Sequence, residues 1–359
     1  MSTRASDHAR QRVATGPLLD VRDLRTHFVT PGGTVRAVDG VTFSLERGKA
    51  LGIVGESGSG KTILSRSIMG LLPRKNTIRT GEVWFEGQDL MKLNASGMRD
   101  IWGTEMTMVF QDPMTSLNPV VKIGRQLTEG LRQKLDMSKE DAAATAERLL
   151  SDVGIPEPHR RLAEYPHQLS GGMRQRVTIA IALACGPTLL FADEPTTALD
   201  VTVQAQILDL LANQQRDRNM SMILVTHDLG VVAGRTDEIM VMYAGKVVEK
   251  APTRSLFANM KMPYTEALLK SIPKLEQPSH TRLEAIGGRP PNLMAATQGC
   301  RFAPRCPYAS ERCHVEEPPL VESDSPGHLY ACWYPIGSPE HAETLARRVT
   351  ADVAVAGAN

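Results

Sequence analysis

The stretch that decides the fold of this chain is Gly55-Glu56-Ser57-Gly58-Ser59-Gly60-Lys61-Thr62. It fits the pattern G-x-x-x-x-G-K-[ST], with an apolar strand pattern over residues 50–54 before it and a helical pattern over residues 60–72 after it. The glycines allow successive backbone N–H groups to face one phosphate, and the helix N-terminus adds partial positive charge. Lys61 is predicted to reach the terminal phosphates and Thr62 to ligate Mg²⁺. The nucleotide-binding residues predicted in the loop are Gly55, Glu56, Ser57, Gly58, Ser59, Gly60, Lys61 and Thr62.

A second apolar run ends in two carboxylates, in the sequence Leu189-Leu190-Phe191-Ala192-Asp193-Glu194. On its own, this pattern is more typical of carboxylates that merely terminate a strand. Beside a phosphate-binding loop it predicts a hydrolytic site, because phosphoryl transfer depends on charge neutralisation and on a positioned attacking group. Asp193 is predicted to hold Mg²⁺ and Glu194 to polarise the attacking water.

The order of strand and helix patterns along the chain indicates an α/β fold. Short apolar runs separated by turns over residues 18–45 predict hairpin strands, and residues 81–85 and 106–110 predict two more strands. The apolar runs over residues 188–192 and 222–226 are typical of a parallel sheet. Residues from about 112 to 186 have a helical pattern, so we predict a parallel sheet with a helical insert.

Composition and charge exclude several classes of protein. The 359 residues include 41 Lys and Arg and 40 Asp and Glu, and the net charge of +1 argues against nucleic-acid binding by bulk charge. The apolar stretches fall short of the roughly 20 residues that span a membrane. The first 16 residues are polar, without an apolar signal segment, which predicts a cytosolic protein that begins with a disordered tail.

The run Leu169-Ser170-Gly171-Gly172-Met173 resembles the signature motif of the ATP-binding cassette (ABC) superfamily. Met173 stands where that family usually has glutamine. The resemblance implies that Ser170, Gly171 and Gly172 lie at a helix N-terminus and contact the γ-phosphate bound by the opposite subunit. A hydroxyl and bare backbone donors at a helix N-terminus suit such an anion.

Other elements of the family follow in the expected order along the chain. Gln111 resembles the glutamine that senses Mg²⁺ and water and begins the loop to the helical lobe, and Asp200 resembles part of the loop that couples two nucleotide sites. His227 resembles the switch histidine that contacts the γ-phosphate. Phe28 falls where the family stacks an aromatic ring on adenine, although a place in the core would equally suit it. The implied catalytic residues are Lys61, Gln111, Glu194 and His227. The implied Mg²⁺ ligands are Thr62, Gln111 and Asp193.

The sequence resembles, more narrowly, the ATPases of oligopeptide and dipeptide permeases. Residues 110–119, 193–204, 262–269 and 288–293 carry this resemblance, with Met262 where histidine is usual. It implies the ATP-hydrolysing subunit of a membrane-associated importer of di- and oligopeptides, peripheral at the cytoplasmic face of the inner membrane. The implied partners are a paralogous ABC ATPase in a heterodimer, two transmembrane permease subunits and an extracytoplasmic peptide-binding protein. No nucleic acid is expected.

Two other functions stay open at this point. An importer of nickel or another small solute would use the same cassette, because the permease and the binding protein choose the solute. A soluble ABC ATPase with a zinc module acting on nucleic acid is the second alternative. The near-zero net charge and the absence of a long coiled-coil pattern weigh against it.

The resemblance also implies the architecture of the chain. It predicts a P-loop NTPase (RecA-like) core of the α/β class, with an antiparallel β subdomain, an inserted α-helical subdomain and a small irregular Cys- and Pro-rich C-terminal extension. The ABC nucleotide-binding domain is predicted over residues 18–250, with its helical subdomain at about 112–186. The C-terminal extension is predicted over residues 251–335, and tails over residues 1–17 and 336–359.

Four of the five cysteines lie in the last 60 residues, at Cys300, Cys306, Cys313 and Cys332. In a reducing compartment such clustering indicates metal binding before disulfides. The spacing matches neither a compact ferredoxin run nor a zinc-finger pair, so an iron–sulfur cluster, zinc and free thiols all stay open. The family resemblance favours a [4Fe–4S] cluster, whereas zinc would allow His314 or His328 as replacement ligands. The nearby Arg301 and Arg305 are predicted to be solvated charges.

Overall fold

The computed structural model describes residues 16–112, 116–197, 199–272, 286–295 and 298–343. The predicted tails lie largely outside these residues, since 1–15 and 344–359 are not among them. Residues 113–115 of the permease-like loop and Ala198 of the predicted coupling loop also lie outside the described part.

Strands and helices alternate along most of the described chain. The strands are β1 (Leu19–Thr30), β2 (Gly33–Leu45), β3 (Ala50–Val54), β4 (Thr77–Phe85), β5 (Gln88–Asp89), β6 (Met106–Val109), β7 (Leu189–Asp193), β8 (Ser221–Thr226), β9 (Glu238–Tyr243), β10 (Lys246–Pro252), β11 (Val321–Glu322) and β12 (Leu329–Tyr330). The helices are α1 (Lys61–Ile68), α2 (Ala95–Ile101), α3 (Ile123–Lys134), α4 (Lys139–Asp152), α5 (Pro158–Leu162), α6 (Gly171–Leu183), α7 (Val201–Asp217), α8 (Leu229–Val232), α9 (Thr253–Asn259), α10 (Pro263–Lys270) and α11 (Glu311–Val315). Short 3-10 turns cover Leu90–Lys92, Pro166–Gln168 and Ala303–Arg305.

The smaller sheet is antiparallel, with strand order β2-β1-β4-β5. β1 and β2 form a hairpin in which Thr30 pairs with Gly33, as the turn pattern in the sequence predicted. Phe28, on β1, lies opposite Val35 on one neighbour and Thr77 on the other. The inner face of this sheet carries a buried apolar row that packs on the larger sheet.

The larger sheet has the strand order β11-β12-β10-β9-β3-β8-β7-β6. Its central strands run parallel, and every residue of β3, β7 and β8 is buried, as expected for a sheet covered on both faces. Val54 pairs with Thr226, and Asp193 pairs with Val225. The carboxyl ends of these three strands therefore meet at one edge of the sheet.

Helices α3 to α6 form the insert between β6 and β7. Leu127 and Leu131 of α3, Leu150 of α4 and Val177 of α6 belong to one buried cluster with the adjoining face of the large sheet. Ser138 caps α4 by accepting a hydrogen bond from the Asp141 backbone N–H at 3.1 Å, which agrees with the helix start predicted from the sequence. The predicted fold class, with its antiparallel sheet and helical insert, is confirmed.

The C-terminal extension adds strands to the large sheet. β12 pairs antiparallel with β10, and β11 pairs with β12. The predicted boundary at residue 250 thus falls inside β10. Within the described ranges, no helix is both long enough and apolar enough to cross a membrane.

A fully buried pair fastens the extension to β10. Glu249 accepts hydrogen bonds from the backbone N–H groups of Lys261 at 2.6 Å and Met262 at 3.2 Å. The Nε2 atom of His328 lies 2.8 Å from the same carboxylate. Because Nε2 is engaged in this contact with Glu249, His328 serves as a structural residue of the extension.

Candidate nucleotide-binding site

The predicted phosphate-binding loop connects β3 to α1. Gly60, which caps α1, has φ of 101°, and a Cβ atom there would lie 2.2 Å from the carbonyl oxygen of Ala37. A Cβ at Gly55 would lie 2.2 Å from the carbonyl oxygen of Met242. Glycine is therefore required at both positions, because the loop passes against neighbouring backbone.

Lys61 is buried at the base of the loop, with 4% of its surface exposed. Its ammonium donates hydrogen bonds to the carbonyl oxygens of Gly55 at 2.7 Å and Glu56 at 3.0 Å. Burial lowers the pKa of Lys61, and the nearby carboxylates of Glu194, Asp193 and Glu56 oppose that change. These contacts hold the ammonium against the loop backbone, beside the cavity where the sequence predicts the terminal phosphates.

Thr62 and Asp193 lie together beneath the loop. The Thr62 hydroxyl donates a hydrogen bond to Asp193 Oδ1 at 3.0 Å. Asp193 is fully buried, and its Oδ2 atom has no hydrogen-bond partner among the described residues. Burial raises the pKa of Asp193, and the Thr62 hydrogen bond opposes that rise. A hydroxyl beside an unsatisfied buried carboxylate oxygen is a donor set that suits Mg²⁺.

Glu194 follows β7 and is the meeting point of three other side chains. Its Oε2 atom accepts hydrogen bonds from Gln111 Nε2 at 3.1 Å and Thr197 Oγ1 at 3.0 Å, and lies 3.4 Å from His227 Nδ1. The pKa of Glu194 is lowered, chiefly by its hydrogen bond with His227, whose own pKa is raised chiefly by the same bond. Glu194 also has φ of 45°, a left-handed conformation rare outside glycine and common at functional sites.

Lys61, Thr62 and Glu194 line a cavity of about 1000 Å³. The apolar side of the cavity is formed by Phe28, Val35 and Ala37 of the hairpin. The polar side is formed by Glu56, Ser57, Gly58, Gly60, Lys61, Thr62, Gln111, Glu194 and His227. The structure thus brings most of the predicted nucleotide-binding residues together, with an aromatic ring at one end and the phosphate loop at the other.

The signature-like residues lie elsewhere. Ser170 caps α6 by accepting a hydrogen bond from the Met173 backbone N–H at 3.3 Å, with Gly171 and Gly172 in the first turn. Asp200 caps α7 in the same way, accepting from the Val203 N–H at 2.9 Å. The described residues that line the cavity do not include Ser170, Gly171, Gly172 or Asp200.

Sequence reasoning missed the part of this site that comes from the C-terminal extension. The same cavity is also lined by Leu268, Ser271, Ile286, Pro290 and Leu293. The prediction that Arg301 and Arg305 are solvated is wrong. The Arg305 side chain is 3% exposed and pairs with Glu56 of the loop, and that of Arg301 is 12% exposed and pairs with Asp39. The two charges are buried because each has a carboxylate partner far away in sequence.

The four clustered cysteines lie near one another. Burial, together with the neighbouring thiols of Cys306, Cys300 and Cys313, raises the pKa of Cys332 to about 12. The Cys300 backbone N–H also donates a hydrogen bond to the Cys313 carbonyl at 2.8 Å. Within the described ranges, however, no group of three or more His, Cys, Asp or Glu side chains has the arrangement to hold a metal ion.

Two family models match this chain, one over the cassette and one over the C-terminal extension. The sequence model of the family "ABC transporter" matches residues 38–197, and that of "Oligopeptide/dipeptide transporter, C-terminal region" matches residues 248–313. The chain is 48% identical to the dipeptide transport ATP-binding protein DppD of Bacillus subtilis, over 90% of this chain and 97% of that one. It is 48% identical to the oligopeptide transport ATP-binding protein OppD of Escherichia coli, over 89% of this chain and 94% of that one.

The chain belongs to the ABC transporter family of ATP-binding proteins. The fold of the cassette agrees, since a dimeric post-hydrolysis structure of the ATP-binding cassette MJ0796 with ADP and Pi has a TM-score of 0.60 and 27% identity. That likeness covers 66% of this chain and 99% of the other. The family predicted from the motifs is thereby confirmed, and the cassette is an ATPase of this family.

The contact between Glu194 and His227 leads to a prediction about the pKa of His227. The carboxylate stabilises the imidazolium, so His227 should titrate above its usual value of about 6.5. The interaction is complete below that value and is lost as pH rises through the raised pKa. NMR titration of the full chain should show the His227 pKa falling in Glu194→Gln.

The matched control is Glu238→Gln, because Glu238 pairs with Lys250 outside the cavity. This variant should leave the His227 titration where it is in the unmodified chain. An unchanged His227 pKa in Glu194→Gln would show that the two groups do not interact in solution.

Proposed function

We propose that this chain is the ATP-hydrolysing subunit of a membrane-associated ABC importer of di- and oligopeptides. The observation that carries the proposal is the convergence of Lys61, Thr62 and Glu194 on one cavity, with Asp193 buried behind Thr62. The peptide substrate class is supported by relatives named for dipeptide and oligopeptide transport, which match almost the whole of their own length.

The residues around Asp193 would hold the magnesium ion of Mg-ATP. Thr62 Oγ1 and Asp193 Oδ2 supply oxygen donors beneath the loop, and Gln111 reaches the same region from the end of β6. When bound, the ion would neutralise charge on the phosphates. Lys61 contributes a fixed positive charge from the protein side.

Glu194 would orient and polarise the water that attacks the terminal phosphate. Gln111, Thr197 and His227 all contact the same oxygen, Oε2, which restricts the orientation of the carboxylate. The lowered pKa of Glu194 keeps the carboxylate ionised and able to accept a proton at neutral pH. His227, with 61% of its side chain exposed, would exchange its contact with Glu194 for one with the γ-phosphate when the nucleotide is bound.

A second cassette would complete the site. Ser170 and the glycines after it form a helix N-terminus that does not line their own cavity, so they would meet the phosphates held by a partner. The MJ0796 cassette, a structural relative, is described as dimeric. We propose a paralogous ABC ATPase as this partner, together with two permease subunits and an extracytoplasmic peptide-binding protein. The complex would place the cassette peripherally at the cytoplasmic face of the membrane.

Replacing the carboxylate tests the hydrolytic role. In the assembled transporter, Glu194→Gln should keep ATP binding but lower turnover by about 100-fold or more, because general base catalysis is removed. Steady-state phosphate release and equilibrium ATP binding measure the two effects separately.

The control is Glu238→Gln, the same chemical change at a residue that does not line the cavity. This variant should turn over ATP at the normal rate. Near-normal turnover in Glu194→Gln would show that Glu194 is not the general base.

The extension would hold a [4Fe–4S] cluster on Cys300, Cys306, Cys313 and Cys332. The support is the family resemblance of this cysteine region and the influence of the other three thiols on the pKa of Cys332. The described side chains are not arranged to hold a metal, so the four thiols would have to draw together around the cluster. The Ala303 backbone N–H donates a hydrogen bond to the Cys300 carbonyl at 3.0 Å, which fixes the turn that follows this cysteine.

Metal analysis of anaerobically purified full chain tests this assignment. The protein should contain about four iron atoms per chain, and Cys306→Ser should lose them. Cys185→Ser, which alters the cysteine outside the extension, should keep them. Stoichiometric zinc in place of iron, or no bound metal, would contradict the cluster.

A further inference from the structure

The second residue of the phosphate loop, Glu56, is held by side chains that come from the C-terminal extension. Arg305 donates two hydrogen bonds to it, from Nη1 to Oε2 at 2.5 Å and from Nη2 to Oε1 at 2.9 Å. The Glu56 backbone N–H donates to the hydroxyl of Tyr264 at 2.8 Å. Both the backbone and the carboxylate of this loop residue are therefore fixed from outside the loop.

The rest of the Arg305 guanidinium is also satisfied. It donates to the carbonyl oxygens of Gly287 at 2.8 Å and Ile286 at 3.1 Å, and to the Tyr243 hydroxyl at 3.2 Å. The pKa of Arg305 is raised, chiefly by its hydrogen bond to Glu56, so the side chain stays charged. A planar fork with two parallel bonds to one carboxylate fixes direction as well as charge.

Buried aromatic rings place Arg305 at this point. Tyr243 at the end of β9, Tyr264 in α10 and Phe302 beside the cysteines pack together, with ring centroids 4.6 to 5.3 Å apart. All three are nearly inaccessible to solvent. Arg305 ends the short turn that follows Phe302, so the turn cannot move without disturbing this aromatic cluster.

The charge of Glu56 explains why such a clamp is needed. A carboxylate in a loop that surrounds a polyphosphate would repel the nucleotide, and Glu56 is near enough to Lys61 to influence its pKa. Arg305 balances this negative charge and turns the carboxylate toward the extension. We propose that Arg305 is a positioning residue for ATP binding, which acts by neutralising and orienting Glu56 of the phosphate loop.

This inference rests on the proposal that the cavity binds ATP. It assigns the extension a role in nucleotide affinity that is separate from any metal on the cysteines. A purely structural role for Arg305 makes a different prediction. In that case the loss caused by removing Arg305 would persist, or grow, when Glu56 is also neutralised.

The test is a double-mutant cycle on the full chain, with the Kd for Mg-ATP as the readout. Arg305→Gln should weaken binding about tenfold or more, because a bare carboxylate then faces the triphosphate. Glu56→Gln gives the affinity of a loop without this charge and is the reference against which the double variant is compared. The double variant should regain most of the lost affinity, since the repelling charge is gone.

Arg301→Gln is the matched control. Arg301 joins the same extension to Asp39 and to the Ala244 carbonyl, without touching the phosphate loop. This variant should bind ATP normally. An equal loss in Arg301→Gln would point to general detachment of the extension and would overturn the proposal.

The outcomes separate this inference from the proposed function. An unmodified chain that binds no ATP contradicts the proposed function itself. Normal binding in Arg305→Gln, or a double variant as weak as Arg305→Gln alone, overturns the role of Arg305. If Arg305→Gln fails to fold, Arg305→Met, which keeps the length of the side chain without its charge, replaces it in the cycle with the same expected and contradicting outcomes.

Discussion

The parallel pairing of β3, β7 and β8 is the constraint on which the site depends. It places the ends of three buried strands at one edge of the sheet, with Asp193 paired to Val225 and Val54 to Thr226. Asp193 ends β7, and the phosphate loop, Glu194 and His227 each follow directly after one of these strands. A shift in register would separate Asp193 from Thr62, so the contacts at the site follow from the pairing of the sheet.

The two adjacent carboxylates at this edge of the sheet, Asp193 and Glu194, lie in different environments. Asp193 is buried against Thr62 and keeps one oxygen unpaired, whereas Glu194 lies one residue further along, in a left-handed conformation, and faces the cavity. Neighbouring carboxylates thus take different environments and different pKa shifts, one raised and one lowered. Two roles for adjacent acids follow from this difference in burial and hydrogen bonding.

Much of the site could be predicted because its signals are local. The glycine spacing of the loop, the apolar run before Asp193 and the cap at Ser170 each lie within a few residues, where backbone sterics and periodicity dominate. The contact between Glu56 and Arg305 could not be predicted, because it joins residues 249 apart and neither flank shows a pattern that requires the other. The pairing of β12 with β10 was missed for a similar reason, since β12 has two residues and no periodicity of its own.

The central claim is that the loop between β3 and α1 binds ATP through the buried ammonium of Lys61. Equilibrium binding of Mg-ATP to the full chain, compared with Lys61→Ala at matched thermal stability, tests it most directly. The account predicts saturable binding of one nucleotide per chain, weakened about tenfold or more in the variant because a charge-assisted contact to phosphate is lost. Equal affinity in the two proteins, or no binding by the unmodified chain, would contradict it.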